Sequence, residues 1–271
     1  MKSYPFLHVF ISISMAVLVA GLTSGCQGRS TELVIVAGST SVQPYAEILA
    51  EEFAHIYPDS EVDIQGGGSS AGIAAAESGT AAIGMSSRNL ADKEAHLLAI
   101  EIAKDGLAVI VHPSNPIDGL SLDQVRQIYS SELSHWSELG GNQSRIHIIA
   151  REEGSGTRSA FEELVMTGSF ITPRAIIQDS NGAVRQLISD DPNSIGFISL
   201  GLIDDTVKAL LLDGVVPSSE NIENGSYSLF RPFLYVLREE AEGPAKAFID
   251  YTLSPAGQQL LMDEGLIGRS P

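Results

Sequence analysis

The sequence predicts an α/β fold built as two lobes. Short apolar runs alternate with helix-patterned stretches, as strands and the helices that cover them do. Two segments rich in proline and glycine, 112–119 and 223–232, interrupt this alternation. If the chain crosses between lobes at both segments, the crossings form a hinge with a cleft beside it. We therefore expect lobe one to hold 31–112 and 230–271, and lobe two to hold 113–229.

The predicted elements fill both lobes. Apolar runs bounded by turn residues predict strands at 33–37, 61–65, 81–85, 107–111, 145–150, 174–178, 194–198, 207–212 and 232–237. The stretches between them predict helices at 43–57, 71–77, 122–129, 158–166 and 245–265. The first helix shows the pattern most clearly, because Tyr45, Leu49 and Phe53 recur on one face.

The first 25 residues predict an export signal. Lys2 precedes a mostly apolar run from Phe6 to Leu22, and small residues follow it directly. A permanent membrane anchor is the alternative, because the run approaches the length that spans a bilayer. Cys26, the only cysteine, resembles the lipidated cysteine of a bacterial lipobox, unless it stands there by chance. Residues 26–30 are then a lipidated tether on the periplasmic or extracellular face of a membrane.

Composition excludes several classes of function. The net charge of −18 argues against a nucleic-acid partner, because such a partner requires clustered lysine and arginine. It does not exclude a buried anionic ligand, since that ligand responds to nearby donors more than to screened surface charge. A single cysteine rules out an intrachain disulfide and a thiolate zinc site. We expect no metal and no cofactor, because the sequence contains no motif for either.

Three loops, 36–41, 65–70 and 150–157, share one design. Each follows a predicted strand, carries glycine with serine or threonine, and precedes a predicted helix. Backbone N–H groups at a helix start lack internal partners, and serine or threonine adds a hydroxyl donor. Such loops suit an anion, although plain helix capping explains any one of them. Arg151 in the third loop adds a planar, charged donor that matches oxyanion oxygens.

A fourth loop, 84–88, also follows a strand and ends in Arg88, which either reaches the same ligand or pairs with an acid. Ser155 lies between two glycines, but the segment is not the Gly-x-Ser-x-Gly motif, and no motif supplies a histidine base. We therefore expect a binding protein without catalytic residues. A hydrolase built on Ser155 is the less favoured alternative.

In chain order, these motifs resemble those of the phosphate-binding components of bacterial ABC phosphate importers. The matching segments are 38–40, 66–72, 83–88, 151–158, 181–184, 195–198 and 253–257. The resemblance implies a type II periplasmic-binding-protein fold. It also implies an exported lipoprotein that captures inorganic phosphate and delivers it to an ABC permease. The alternative is a sensor or scavenger that binds phosphate, sulfate or molybdate without transport.

The resemblance also implies the ligand contacts. They are Thr40, Ser41, Ser69, Arg151, Ser155, Gly156 and Thr157, with Ser39 as a neighbour and Glu153 as the acid that holds the arginine. Ser87 in the fourth loop stands where many members carry an aspartate that accepts the proton of the ligand. Because a serine hydroxyl repels a fully ionised rival less than a carboxylate does, we expect weaker selectivity against sulfate.

Overall fold

The computed structural model describes residues 32–269. The predicted export signal, Cys26 and the tether lie outside these residues. Across the described range, no helix combines the length and the apolar character needed to cross a bilayer.

Strands and helices alternate along most of the chain. The strands are β1 (Glu32–Gly38), β2 (Ser60–Gly66), β3 (Ile83–Ser86), β4 (Leu98–Val111), β5 (Gly119–Leu120), β6 (His147–Arg151), β7 (Ile176–Gln178), β8 (Ser194–Ser199), β9 (Lys208–Ala209), β10 (Leu211–Leu212), β11 (Phe230–Leu237) and β12 (Ile267–Gly268). The α-helices are α1 (Gln43–Ile56), α2 (Ser69–Ser78), α3 (Leu122–Tyr129), α4 (Gly156–Phe161), α5 (Asn181–Asp190), α6 (Ser219–Glu223), α7 (Gly243–Leu253) and α8 (Pro255–Asp263). A π-helical segment, Glu162–Met166, continues α4.

The main sheet has a parallel group on each side of an antiparallel centre. Its strand order is β2-β1-β3-β11-β4-β8-β6-β7, with β9 and β12 also pairing with β4. β1 is parallel to β2 and β3, and β6 is parallel to β7 and β8. The central strands β4 and β11 are antiparallel to each other and to their outer neighbours β8 and β3.

Two large hydrophobic cores share the central strands. The first core takes residues from β1, α1 and α7, and from β4 as far as Ala103. The second takes residues from α3, α4 and β8, and from β4 beginning at Leu107. Near β11, Leu229 belongs to the second core and Phe233 to the first. The chain therefore changes core along two neighbouring segments of the sheet.

This packing bears on the predicted lobe crossings. The change between Leu229 and Phe233 overlaps the predicted segment 223–232, whereas the change on β4 precedes the predicted segment 112–119. The difference arises because β4 continues without a turn from one core into the other, and a turn is what the sequence pattern detects. The lobe limits stay a prediction, and the packing favours a first boundary near 104–106.

The sequence prediction missed the first half of β4 because that half contains polar residues. The strand begins at Leu98, well before the predicted start at 107. Glu101, Lys104 and Asp105 interrupt the apolar run there, although Asp105 is itself buried. A search for apolar runs misses the part of a strand in which a buried position is charged, as Asp105 is here.

Two helix predictions also differ from the structure. The segment Asn181–Asp190 forms α5, which the spacing of apolar residues did not predict. The predicted helix 245–265 is two helices, because Pro255 has no backbone N–H to continue the first one. Ser254 caps the second helix, and its Oγ accepts a hydrogen bond from Gly257 N at 3.2 Å.

Candidate functional site

The first, second and fourth loops meet at one edge of the parallel strands β1, β2 and β3, where their carboxyl ends lie together. Gly68 N donates to Gly38 O at 2.9 Å, which ties the second loop to the first. Ser39 Oγ donates to Ser87 Oγ at 2.9 Å, and Ser69 Oγ lies 3.3 Å from the same oxygen. All three serines are buried, so these loops place a group of hydroxyls out of solvent.

The third loop, which follows β6, reaches the same hydroxyl cluster from the second core. Thr157 Oγ1 lies 2.8 Å from Ser41 Oγ in the first loop. Gly156 packs so closely that a side-chain carbon on it would overlap Ser69 Oγ and Ser87 Oγ. Loops attached to both cores therefore surround one set of hydroxyls.

Three helices begin at this cluster. α1 directly follows the first loop and has Pro44 in its first turn. α2 begins at Ser69 after Gly68, whose φ of 87° favours glycine. α4 begins after Ser155, whose Oγ accepts from Arg158 N at 3.3 Å. Because the first N–H groups of a helix lack internal partners and the dipole is positive there, these ends favour an anion.

Arg151, the last residue of β6, places a guanidinium beside the cluster. Its side chain is only 1% exposed. Nη2 donates to Thr40 Oγ1 at 3.1 Å, and Nη1 lies 3.5 Å from Thr157 Oγ1. The backbone oxygen of Asp179 also accepts from Nη2, at 3.1 Å. Arg151 is thus a fixed, charged donor that extends from the second core to the first loop.

The acid that holds Arg151 is Glu152, so the prediction for Glu153 is wrong. Glu152 Oε2 accepts from Arg151 Nε at 2.9 Å, and Oε1 accepts from Nη2 at 3.0 Å. Glu153 is exposed. The chain turns as soon as β6 ends, so the first of the two glutamates lies along the guanidinium and the second faces solvent.

Arg88 pairs with an acid, as one of the two alternatives stated. Its Nη1 and Nη2 donate to the two carboxylate oxygens of Glu94 at 2.7 and 3.0 Å. These hydrogen bonds hold the pKa of Glu94 below its ordinary value. Nη2 also lies 3.3 Å from Ser70 Oγ, so Arg88 is fixed at the edge of the second loop.

Two further side chains contact the cluster and were not predicted. Asn181 Nδ2 and Arg231 Nη2 donate to Ser41 Oγ at 2.9 and 3.0 Å. Arg231 forms a buried ion pair with Asp105. Burial raises the pKa of Asp105 against the opposing effect of Arg231, and burial lowers the pKa of Arg231. The sequence contained one signal for the ion pair: Asp105 and Arg231 are charged residues that stand just before the strands predicted at 107–111 and 232–237.

The surroundings of Ser155 differ from those of a serine nucleophile. Its Oγ is engaged as a helix cap, and a nucleophilic serine needs a neighbouring base. Four histidine rings in the described part of the chain bond elsewhere: His96 to Glu77, His112 to Ser114, His135 to Ser134 and His147 to Asp191. Within 32–269, no group of three or more histidine, cysteine or acidic residues is placed to hold a metal ion.

Comparison with known proteins gives consistent matches. A family model described as a PBP superfamily domain matches residues 26–256. The phosphate-binding protein PstS of Bacillus subtilis is 32% identical over 245 residues, which cover 88% of this chain and 81% of that protein.

Two solved structures are similar as well. A protein from Clostridium perfringens, assigned as a phosphate ABC transporter substrate-binding protein and solved with bound phosphate, is 43% identical with a TM-score of 0.85; the match covers 88% of this chain and 100% of that one. An ABC-type phosphate transport receptor from Vibrio cholerae is 36% identical with a TM-score of 0.73. That match covers 87% of this chain and 100% of the other.

The family-model match extends over all four loops of the cluster and over most of both cores. Together the matches confirm the two-lobed α/β fold of periplasmic binding proteins that the motifs implied. The chain belongs to the PBP superfamily and, within it, to the family of phosphate-binding proteins of bacterial ABC phosphate importers.

Proposed function

We propose that this chain captures inorganic phosphate between its lobes and delivers it to the permease of an ABC importer, without a catalytic step. One observation carries the proposal: buried hydroxyls from four loops, the buried guanidinium of Arg151 and three helix N-termini meet at a single place. A tetrahedral oxyanion needs donors on several sides, and this cluster supplies hydroxyl, backbone and charged donors. The names of the similar proteins support phosphate as the ligand.

The proposed ligand contacts are the predicted residues of the four loops. They are Ser39, Thr40, Ser41, Ser69, Ser87, Arg151, Ser155, Gly156 and Thr157. The hydroxyls among them bond to one another or to neighbouring polar groups, and a hydroxyl hydrogen that these bonds do not use, such as that of Thr157, can turn toward an oxyanion. Gly156 contributes its backbone N–H at the start of α4.

Binding would be coupled to closure of the two lobes. Ser41 and Thr157 belong to loops on different cores, so a ligand between them completes its shell of donors only when the lobes meet. A ligand shifts a two-state equilibrium by its difference in affinity for the two states. The closed form would then present one surface to the permease.

Selectivity against sulfate would depend on few groups. Ser87 offers a hydroxyl instead of a carboxylate, and Glu152 already accepts two bonds from Arg151. A proton on the ligand therefore meets a hydroxyl oxygen and not a free carboxylate at these positions. We expect sulfate to compete with phosphate more strongly than in a relative with aspartate at that position, whereas arsenate, which is protonated as phosphate is, would compete in either case.

The test of the proposed function is titration calorimetry. Residues 27–271, stripped of bound ligand, are titrated with phosphate, arsenate, sulfate and molybdate. We expect one phosphate site per chain and measurable competition by sulfate. The same preparation is expected to release no phosphate from a generic phosphomonoester. Absence of phosphate binding would contradict the proposal, and turnover would favour the hydrolase instead.

The contact between Glu152 and Arg151 predicts different effects for the same substitution at Glu152 and at Glu153. Glu152→Gln is expected to weaken phosphate binding by about three- to tenfold, because the new amide group cannot accept one of the two bonds that hold Arg151. Glu153→Gln removes the same charge from an exposed neighbour and is expected to bind as the wild type does. Calorimetry of both variants checks this, and equal affinities would mean that Glu152 does not position the arginine.

We extend the proposal to the amino terminus. Residues 1–25 would direct export and be removed, and lipid on Cys26 would hold the protein at the outer face of the cell membrane beside its permease. Residues 26–30 precede β1 and are long enough to serve as a short tether.

A further inference from the structure

A buried ion pair lies where the chain changes core. Arg231 on β11 and Asp105 on β4 are opposite each other in the sheet. Arg231 Nη2 and Nε lie 2.9 and 3.1 Å from Asp105 Oδ2, and the two side chains are 2% and 1% exposed. Burying two charges is costly, and such a pair is weak evidence of a purely stabilising role.

The hydrogen bonds of Ser41 indicate what Arg231 does to the cluster. Ser41 Oγ accepts from Arg231 Nη2 and from Asn181 Nδ2, which occupies both of its acceptor positions. The hydrogen of Ser41 must therefore go to Thr157 Oγ1, at 2.8 Å. Thr157 also lies within 3.5 Å of Arg151 Nη1, so its own hydrogen is left to donate elsewhere. Arg231 thus sets the direction of a chain of donors.

One nitrogen of Arg231 is unpaired. Nε and Nη2 bond to Asp105 and Ser41, whereas Nη1 is buried and has no hydrogen-bond partner in the described part of the chain. A guanidinium keeps its charge in proteins, and a buried donor without a partner is costly. Burial lowers the pKa of Arg231 against the opposing effect of Asp105, and the nearby charge of Arg151 lowers it further. Arg231 and Arg151 are connected through the hydroxyls of Ser41 and Thr157, and two positive charges placed in this way favour an anion beside them.

We propose that Arg231 is a second cationic binding residue of the site, in which Nη1 donates to the bound oxyanion, Nη2 orients Ser41 and Asp105 fixes the guanidinium. The inference rests on the proposed function and deepens it. Because Arg231 lies on a strand that adjoins both cores, bound phosphate would contact both lobes and the strands that join them.

The test separates binding from folding with two variants. Arg231→Gln leaves Asp105 buried without its partner, and a lower melting temperature is expected. The double variant D105N/R231Q replaces the ion pair with two neutral amides, so we expect a melting temperature close to that of the wild type. In calorimetry, both variants are expected to lose phosphate affinity by about tenfold or more. Arg238→Gln, at an exposed arginine directly after β11, is the control and should bind normally.

The outcomes distinguish the inference from the function it rests on. If the wild type binds no phosphate, the proposed function fails and the inference with it. If the wild type binds and the double variant regains both stability and affinity, Arg231 is structural and only the inference fails. A second measurement needs no folded variant: in wild-type protein with labelled arginine, phosphate should shift the guanidinium NMR signal of Arg231. An unchanged signal in protein that binds phosphate would overturn the inference.

Discussion

Replacing Arg151 with alanine is expected to weaken phosphate binding by about a hundredfold or more. The guanidinium is buried and lies against hydroxyls of two loops, those of Thr40 and Thr157. Each hydrogen bond to a charged group contributes about 1.5–3 kcal/mol, and alanine removes the charge as well as the bonds. Titration calorimetry at constant salt measures the loss.

Two comparisons define the effect of Arg151. Lysine at this position keeps the charge but lacks the planar fork, so Arg151→Lys is expected to bind with intermediate affinity. Arg126→Ala alters a half-buried arginine that pairs with Asp123 on α3, a helix that also packs into the second core, and this variant is expected to bind as the wild type does. Wild-type affinity in Arg151→Ala would exclude Arg151 from the site.

The loops of the site could be predicted because their pattern is local. A strand, then glycine with hydroxyl residues, then a helix start can be recognised within a few residues, as at 36–41 and 65–70. Parallel pairing of β1 with β2 and β3 then brings their carboxyl ends together. The convergence of Ser39, Ser69 and Ser87 thus follows from local patterns and one general rule of sheet geometry.

The ion pair could not be predicted because its partners are 126 positions apart. Asp105 and Arg231 each stand just before an apolar run, so the predicted strand began only after the charged residue. In the structure both are inside strands and buried, since each neutralises the other. Pairing across the sheet is the missing information, and no local pattern contains it.

The choice between Glu152 and Glu153 depended on an equally fine detail. Both acids follow Arg151 directly, and either has the charge to hold a guanidinium. Which one does so is decided by the exact residue at which β6 ends, because the chain turns there. Strand ends are among the least reliable features of a sequence-based prediction, so the residue type was predicted and the position was not.

Gly156→Ala is expected to reduce phosphate affinity by up to about a hundredfold, because overpacking costs about 1–3 kcal/mol. The new side-chain carbon would overlap Ser69 Oγ and Ser87 Oγ and lie 2.9 Å from the carbonyl carbon of Ser87. Rotating the serines cannot relieve the conflict with backbone. Since Gly156 is attached to the second core and Ser87 to the first, the conflict opposes closure of the lobes.

Stability separates this explanation from simple misfolding. A conflict confined to the meeting of two lobes can be avoided by opening the hinge, so the unliganded variant should melt close to the wild-type temperature while its affinity for phosphate falls. Gly182→Ala is the matched control: Gly182 also lies in the first turn of a helix, α5, and a side-chain carbon there meets nothing within 4 Å. Normal binding by Gly156→Ala would mean that the two lobes hold phosphate without this close approach. If Gly156→Ala lost both stability and affinity, the close approach of Gly156 to Ser69 and Ser87 would be needed for folding and not only for closure of the lobes.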